Sequence, residues 1–137
     1  MHPVVSQICL DAADPLGLAR WWAEVLGWTV QPDGDDEVTL VPPSGSGTTE
    51  WVFLRVGDAR VVKNRLHPDL RPPDGSDQPA ELARLLELGA RPVDVGQGPE
   101  ATWHVLADPE GNEFCLLRST PSGLADHLAA RAAVTGG

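Results

Sequence analysis

His67 and Glu113 are the residues of this chain that we consider best suited to move protons. Glu113 could act as a general acid or base if it lies inside a cavity. The alternative is a structural carboxylate in a salt bridge to Arg65 or Arg55. His67 and Glu113 are therefore the predicted catalytic pair of any enzyme built on this chain.

His67 has two further interpretations. It is either a cavity or core histidine hydrogen-bonded to Asp69, Arg65 or Gln7, or a side chain that contacts an organic ligand directly. Arg65 also belongs to a polar run, KNR at 63–65, which could clamp an anion or form a solvated corner. Within that run Arg65 is the best candidate for binding an anion.

The cysteines and tryptophans suggest a reducing environment and an aromatic cavity. Cys9 and Cys115 are the only two cysteines and lie in apolar, strand-like runs, so we expect buried thiols rather than a disulfide framework. The aromatic set is five Trp, two Phe and no Tyr, and a buried Trp needs a partner for its indole N–H. Trp51 and Trp103 could stack on a planar or cationic ligand, and plain packing is the alternative.

Composition limits the classes of function. The chain has 137 residues, 42% of them hydrophobic, which is enough for one domain with a core. Its net charge of −10 repels phosphate backbones and anionic membrane surfaces, so we expect neither nucleic acid nor a membrane as a partner. No apolar run approaches the roughly 20 residues of a membrane-spanning helix, and the N-terminus does not resemble a signal peptide. We therefore expect a cytoplasmic protein.

Two consecutive blocks of the chain have the same order of elements: strand, helix and three strands. Asp14 and Pro15 are a typical helix start, and Gly27 and Gly89 are typical helix ends. The predicted elements are strands at 3–10, 28–31, 37–41 and 50–56 around a helix at 16–26, then strands at 64–70, 91–95, 101–107 and 113–118 around a helix at 77–88. A last helix is predicted at 123–133.

Details of the sequence repeat as well. LARWW at 18–22 matches LARLL at 82–86, and Leu-Gly follows each of them. Gln7 and His67 occupy matching places, each seven residues before an aspartate. A duplicated βαβββ unit explains these matches together.

Several motifs resemble those of a known family. They are DP at 14–15 with WW at 21–22 and LGW at 26–28, KNRLH at 63–67, LGA at 88–90, and DPEGNEFC at 108–115. With these motifs and its duplicated unit, the chain resembles the vicinal oxygen chelate superfamily, the glyoxalase and bleomycin-resistance fold, and in particular its actinobacterial glyoxalase-like members. The resemblance covers residues 4–118, and the motif at 108–115 is its most specific part.

This resemblance implies an α+β fold in which two βαβββ modules, at about 3–58 and 62–119, form one eight-stranded cupped sheet around a ligand cavity. The modules would make up a glyoxalase-like domain at 1–120, followed by a C-terminal helix and tail at 121–137. Homodimers are frequent among members of the superfamily, so we expect a homodimer.

Strand alternation predicts which side chains would face such a cavity. In the second block the inward set is Arg65, His67, Asp69, Glu113, Cys115 and Leu117, and the set packed under helices is Leu66, Leu70, Phe114 and Leu116. On the strand at 50–56 the inward set is Trp51, Phe53 and Arg55, and the core set is Val52, Leu54 and Val56.

Metal-dependent members of the superfamily bind a divalent ion through residues on the first and last strands of each module. The matching positions are Gln7, His67, Cys115 and either Phe53 or Leu54. A hard ion needs three or four oxygen or nitrogen donors, and among these positions only Gln7 and His67 offer one. We therefore expect no native metal cofactor, and Gln7, His67 and Cys115 are the candidate ligands if a divalent ion does bind.

The expected function is to bind or sequester a small aromatic or cationic organic molecule in a Trp-lined cavity. The predicted ligand-binding residues are Gln7, Trp51, Phe53, Arg65, His67, Trp103 and Cys115. The alternative is a lyase or isomerase of the glyoxalase type that uses His67 and Glu113 for proton transfer. A third hypothesis is an interaction module whose surface carries the function.

Overall fold

A computed structural model describes residues 1–57 and 61–135, and within them the chain forms eight strands and three helices. The chain divides into two compact units, Met1–Val61 and Val62–Gly137. The first unit contains β1 (Gln7–Ala12), α1 (Pro15–Leu26), β2 (Thr29–Pro32), β3 (Glu37–Val41) and β4 (Glu50–Arg55). The second unit contains β5 (Asp69–Leu70), α2 (Gln78–Leu88), β6 (Arg91–Pro92), β7 (His104–Ala107), β8 (Glu113–Leu116) and α3 (Pro121–Thr135).

Each unit has its own four-stranded sheet, and the two sheets share one topology. The strand orders are β1-β4-β3-β2 and β5-β8-β7-β6. In each sheet the first strand pairs in parallel with the last, and the remaining pairs are antiparallel. The predicted α+β fold of two βαβββ modules is confirmed, with its eight strands in two sheets of four.

The ends of α1 and α2 follow from their flanking residues. The Asp14 carboxylate accepts a hydrogen bond from the Gly17 N–H at 3.1 Å, and Asp77 caps α2 in the same way. Each helix ends at a glycine in the left-handed region, Gly27 with φ 71° and Gly89 with φ 109°. Residues with a side chain rarely adopt this conformation, so both helix ends are set by the glycines.

Four tryptophans form a continuous cluster in the first unit. Trp22 is 1% exposed, and the centroid of its ring lies 5.1 Å from that of Trp21 and 5.2 Å from that of Trp51, both edge to face. Trp51 in turn contacts Trp28 at 5.6 Å. Edge-to-face rings attract through their quadrupoles as well as through buried area. This cluster therefore anchors α1 to β4.

The orientation predicted for β4 is wrong. Trp51 packs against α1 through Trp22, and Phe53 is completely buried. β4 pairs with β1 so that Trp51 lies beside Ile8 and Phe53 beside Leu10. Both alternating sets of β4 are apolar, so alternation could not choose between its faces, and the pairing with β1 decides.

Arg55 also has a structural role in the first unit. Its guanidinium donates hydrogen bonds to Asp36 Oδ1 at 2.8 Å and to the carbonyl oxygens of Ala13 and Asp35. The salt bridge from Arg55 to Glu113, considered above as an alternative, is therefore replaced by a local pair with Asp36. Arg55 holds the turn between β2 and β3 against the end of β1.

The strand predicted at 64–70 is much shorter in the structure, because β5 contains only Asp69 and Leu70. Pro68 has no N–H to donate, so the hydrogen-bonded ladder begins after it, although its carbonyl still accepts from the Cys115 N–H at 3.0 Å. Leu66, predicted to pack under a helix, is 90% exposed. Residues 64–68 therefore form a connecting segment at the sheet edge.

Helix α3 is anchored at its N-terminal end. The carboxylate of Asp74 accepts hydrogen bonds from the Ser122 N–H at 3.0 Å and the Ser122 hydroxyl at 2.7 Å. The Thr120 hydroxyl accepts from the Gly123 N–H at 3.1 Å.

None of the helices that the structure describes is long and apolar enough to span a membrane.

The anchor of α3 is expected to weaken in acid. Hydrogen bonds from Ser122 lower the pKa of Asp74 below its ordinary value of 3.8. A carboxyl whose pKa is depressed by folding stabilises above its ordinary pKa, and that stabilisation is lost as pH falls through the depressed value. The Ser122 amide shift, followed by NMR, should titrate with a midpoint below 3.8 and should not titrate in Asp74→Ala. A midpoint above 3.8 would contradict the anchor.

Candidate functional site

A cleft of about 470 Å³ lies in the second unit. Its lining comes from the connecting segment before β5, from β5 itself, from the loop after β6, from the start of β7 and from β8. Because three strands and their flanking segments supply different side chains, charged, aromatic and thiol groups line one space.

Strand β8 provides the buried wall of the cleft. Glu113 and Cys115 line it and are only 4% and 7% exposed. The alternating residues Phe114 and Leu116 are 0% and 1% exposed and do not line the cleft. The predicted orientation of this strand is confirmed, because its inward and outward residues fall in the expected sets.

The turn before β8 is organised by a fully buried carboxylate. Asp108 Oδ1 accepts hydrogen bonds from the backbone N–H groups of Glu110 and Asn112, and Oδ2 accepts from the Asn112 side-chain amide. Asn112 Oδ1 accepts from the side-chain amide of Asn64, whose backbone N–H donates to Glu113 Oε2 at 3.1 Å. This chain of hydrogen bonds ties the connecting segment to β8 and holds Glu113 at the wall.

Three groups of different chemistry meet beside this wall. His67 Nε2 lies 3.3 Å from Asp69 Oδ1, so Asp69 is the partner of His67 among the alternatives considered. The donor atoms of His67, Asp69 and Cys115 all lie within 4.8 Å of one another. Burial is the main cause that raises the pKa of the Cys115 thiol, and the charge and hydrogen bonding of Asp69 add to it, with Lys63 opposing. The thiol is therefore neutral near pH 7.

One aromatic ring in the lining of the cleft is exposed. Trp103 lines it and is 40% exposed, so its ring is available to a ligand. The loop at 93–97 forms another part of the lining, and the Gln97 side chain holds it by accepting from the Val95 N–H and donating to the Val93 carbonyl. Sequence analysis missed Gln97 because loop geometry has no periodic signal, although the glycines at 96 and 98 mark a turn.

The predicted site residues divide between the two units. His67, Trp103, Glu113 and Cys115 share the cleft. Arg65 is exposed and does not line it.

The remaining predicted residues belong to the first unit. Trp51 and Phe53 pack on the α1 side of β4. A cavity lined by several Trp rings was expected, but among the described residues Trp103 is the one Trp that lines the cleft. Gln7 is exposed, and its amide lies 3.6 Å from Cys9 Sγ. Cys9 is exposed as well, which corrects the expectation of two buried thiols.

The comparison with protein families identifies the class of this protein. The family model described as a glyoxalase-like domain matches residues 7–117. The chain belongs to this glyoxalase-like family, within the vicinal oxygen chelate superfamily. A search of curated proteins found no significant match.

Solved structures agree on the fold. A fosfomycin resistance protein from Listeria monocytogenes, solved with Mn(II) and a dihydroxypropylphosphonic acid, is 16% identical, with a TM-score of 0.64 over 90% of this chain and 95% of that one. A bleomycin-binding protein from Streptomyces verticillus, solved with copper(II)-bleomycin, is 16% identical, with a TM-score of 0.55 over 87% and 99%. A hypothetical protein from S. aureus is 14% identical, with a TM-score of 0.62 over 87% and 95%.

The superfamily includes metal-dependent members, so the donor set of the cleft bears on whether an ion fits. Of the matching positions, His67 and Cys115 lie in the cleft, whereas Gln7 belongs to the first unit. Asp69 supplies the carboxylate that those positions lack. Nitrogen, oxygen and sulfur donors from His67, Asp69 and Cys115 are a set that zinc accepts.

Proposed function

We propose that this protein binds a small organic molecule with a planar aromatic or cationic group in the cleft of the second unit, without the superfamily's usual metal site. The observation that carries the proposal is the exposed Trp103 ring in the same cleft as the carboxylates of Asp69 and Glu113. An aromatic face attracts a cation through its quadrupole, and a nearby carboxylate adds a direct charge interaction.

Size and charge support this class of ligand. Pockets for small molecules have volumes of roughly 300–1,000 Å³, and the cleft of about 470 Å³ falls in this range. The net charge of −10 attracts cations to the surface and repels nucleic acid. The bleomycin-binding protein from Streptomyces verticillus is a precedent within the fold for binding an organic molecule.

Quenching of Trp fluorescence tests this proposal. Phenyltrimethylammonium, which is planar and cationic, and metal-free bleomycin are titrated into chelator-treated protein. We expect saturable quenching of the unmodified chain. Affinity measured by calorimetry should fall about tenfold in Trp103→Ala, because this substitution removes a cation–aromatic contact that contributes about 1–2 kcal/mol. Trp28→Phe is the matched control, because Trp28 belongs to the first-unit cluster. Equal affinity of the two variants, or no quenching of the unmodified chain by any planar cation, would refute the proposal.

The proposal extends to cellular context. We place the protein in the cytoplasm as a homodimer, with a small molecule rather than nucleic acid or a membrane as its partner. The support is the resemblance to homodimeric superfamily members together with the acidic surface. Sedimentation at micromolar concentration measures the dimer directly, and a monomer there would exclude it.

A second candidate function is a lyase or isomerase, favoured by the burial of Glu113 in the same cleft as the His67–Asp69 pair. In an isomerisation, the Glu113 carboxylate would take a proton from one carbon of the ligand and His67 would return one to another. Proton transfer by a positioned side chain contributes about 10²–10⁴-fold. Deuterium should enter ligand carbon in D₂O, and at saturating ligand Glu113→Gln should slow this by at least about 100-fold. If a ligand binds but gains no deuterium, the lyase or isomerase function is excluded, whereas the proposed binding function is not.

A further inference from the structure

We propose that His67, Asp69 and Cys115 form a site for a thiophilic divalent cation of the zinc class, contained entirely within the second unit. Their ring nitrogen, carboxylate oxygen and thiol sulfur all lie within 4.8 Å of one another. The set differs from the positions matched by resemblance, because Asp69 replaces Gln7 as the third donor. Asp69 is thus assigned as a ligand although it lies outside the matched positions.

The strands fix most of this geometry. Asp69 and Cys115 are paired residues on the parallel strands β5 and β8, so the backbone sets the spacing of their side chains. His67 Nε2 lies 3.3 Å from Asp69 Oδ1. Donors around tetrahedral zinc, with bonds of about 2.0–2.3 Å, lie roughly 3.2–3.7 Å apart, so the nitrogen and oxygen are already spaced as two zinc ligands.

Closing the site around the sulfur needs only a small movement. The sulfur must approach the other donors by at most about 1.5 Å to reach tetrahedral spacing. The side chains of His67 and Asp69 are 36% and 49% exposed, so both have room to rotate toward Cys115. Cys115 itself is 7% exposed and stays fixed in β8.

The donor chemistry selects the type of ion. A sulfur ligand favours Zn²⁺, Co²⁺ and Cd²⁺ over Mg²⁺ and Ca²⁺, which prefer oxygen ligands. Three protein donors leave the fourth position of a tetrahedral ion to water or to an atom of a bound molecule. Asp69 and the nearby Glu113 supply negative charge to balance the cation, although Lys63 also lines the cleft.

Cobalt substitution tests this site without any assay of activity. The full chain, free of any tag and treated with chelator, is titrated with Co²⁺ while absorption is recorded. We expect one equivalent to bind with a thiolate-to-cobalt charge-transfer band in the near ultraviolet, and one equivalent of Zn²⁺ to displace it. Cys115→Ser should abolish the band, and Asp69→Asn should weaken binding at least about tenfold, the loss that even the outer partners of metal ligands cause.

Cys9→Ser is the matched control, because Cys9 is the exposed thiol of the first unit. A band that is absent from the unmodified chain, that survives Cys115→Ser or that disappears in Cys9→Ser would overturn the proposal. If Cys115→Ser fails to fold, the exposed substitution Asp69→Asn decides, and unchanged affinity there would overturn it. The organic-ligand titration is run in chelator, so each proposal can fail alone.

Discussion

Phe53→Ala is expected to lower the free energy of unfolding by about 3–5 kcal/mol, the range for removing a buried Phe side chain. Phe53 is completely buried on the α1 side of the first sheet, where its neighbours in register are Leu10 on β1 and Val38 on β3. The substitution removes the transfer free energy of the ring and leaves a cavity that the two flanking strands and the helix cannot fill without distortion.

Leu54→Ala is the matched control for this prediction. Leu54 is the next residue of β4, lies on the opposite face and is half-buried. Truncation of the Leu54 side chain should lower the free energy of unfolding by about 1–2 kcal/mol. The cost is smaller because this half-buried side chain buries less apolar area on folding than Phe53 does. Urea unfolding followed by Trp fluorescence measures both variants. If Phe53→Ala costs no more than Leu54→Ala, the orientation of β4 described here is incorrect.

The second large effect is expected at Asp108, where Asp108→Ala should destabilise the second unit by about 3–4 kcal/mol. The carboxylate is 0% exposed and accepts three hydrogen bonds within the turn before β8. Hydrogen bonds to a charged acceptor contribute about 1.5–3 kcal/mol each, and buried donors left without a partner add a penalty. The expected destabilisation is smaller than the sum of the three hydrogen-bond energies, because water can reach the donors of the turn once the carboxylate is removed.

Asp94→Ala provides the comparison, since Asp94 accepts one bond from the Gly96 N–H in an exposed loop of the same unit. It should change stability by less than about 1 kcal/mol. Asp108→Ala should also speed hydrogen exchange at the Asn64 amide, because Asn64 is held at Glu113 through Asn112. Thermal unfolding and exchange rates test both statements, and equal loss in the two variants would contradict this role for Asp108.

Secondary structure could be predicted from the sequence wherever a residue type strongly favours one backbone conformation. Asp14 and Asp77 are favoured at helix starts, and each has a proline within the next two residues. Gly27 and Gly89 end a helix at little cost, so both helices were predicted closely. The alternation of β8 was equally clear, since Glu113 and Cys115 alternate with strongly apolar neighbours.

Prediction failed where local pattern and chain pairing compete. In β4 both faces are apolar, and only the register with β1 shows that Trp51 and Phe53 pack against α1. In the segment before β5, Pro68 interrupts the hydrogen bonding that alternation alone suggested.

The site was predicted in part for the same reasons. His67, Glu113 and Cys115 lie on or beside strands with a clear inward face, and they share the cleft. The grouping of Asp69 with His67 and Cys115 depends on the pairing of β5 with β8, which no local pattern shows. Lys63 and Gln97 come from irregular segments, whose side-chain directions follow from tertiary structure alone.

The thiol of Cys115 has a consequence for the chemistry of the cleft. A buried thiol with a raised pKa is a poor nucleophile near neutral pH and makes the wall of the cleft less charged. In the proposed function the wall favours contact with an organic molecule, and in the proposed cation site it favours a soft ion. Both consequences follow from the same buried sulfur.

The central claim is that ligands bind in the cleft of the second unit, and the indole N–H signals of the five tryptophans test it most directly. In ¹H–¹⁵N spectra recorded during titration with phenyltrimethylammonium, the Trp103 indole and the amides of residues 93–97 and β8 should shift together and saturate. The indoles of the first-unit cluster should stay in place. Shifts confined to Trp21, Trp22, Trp28 and Trp51, with Trp103 unchanged, would contradict the claim.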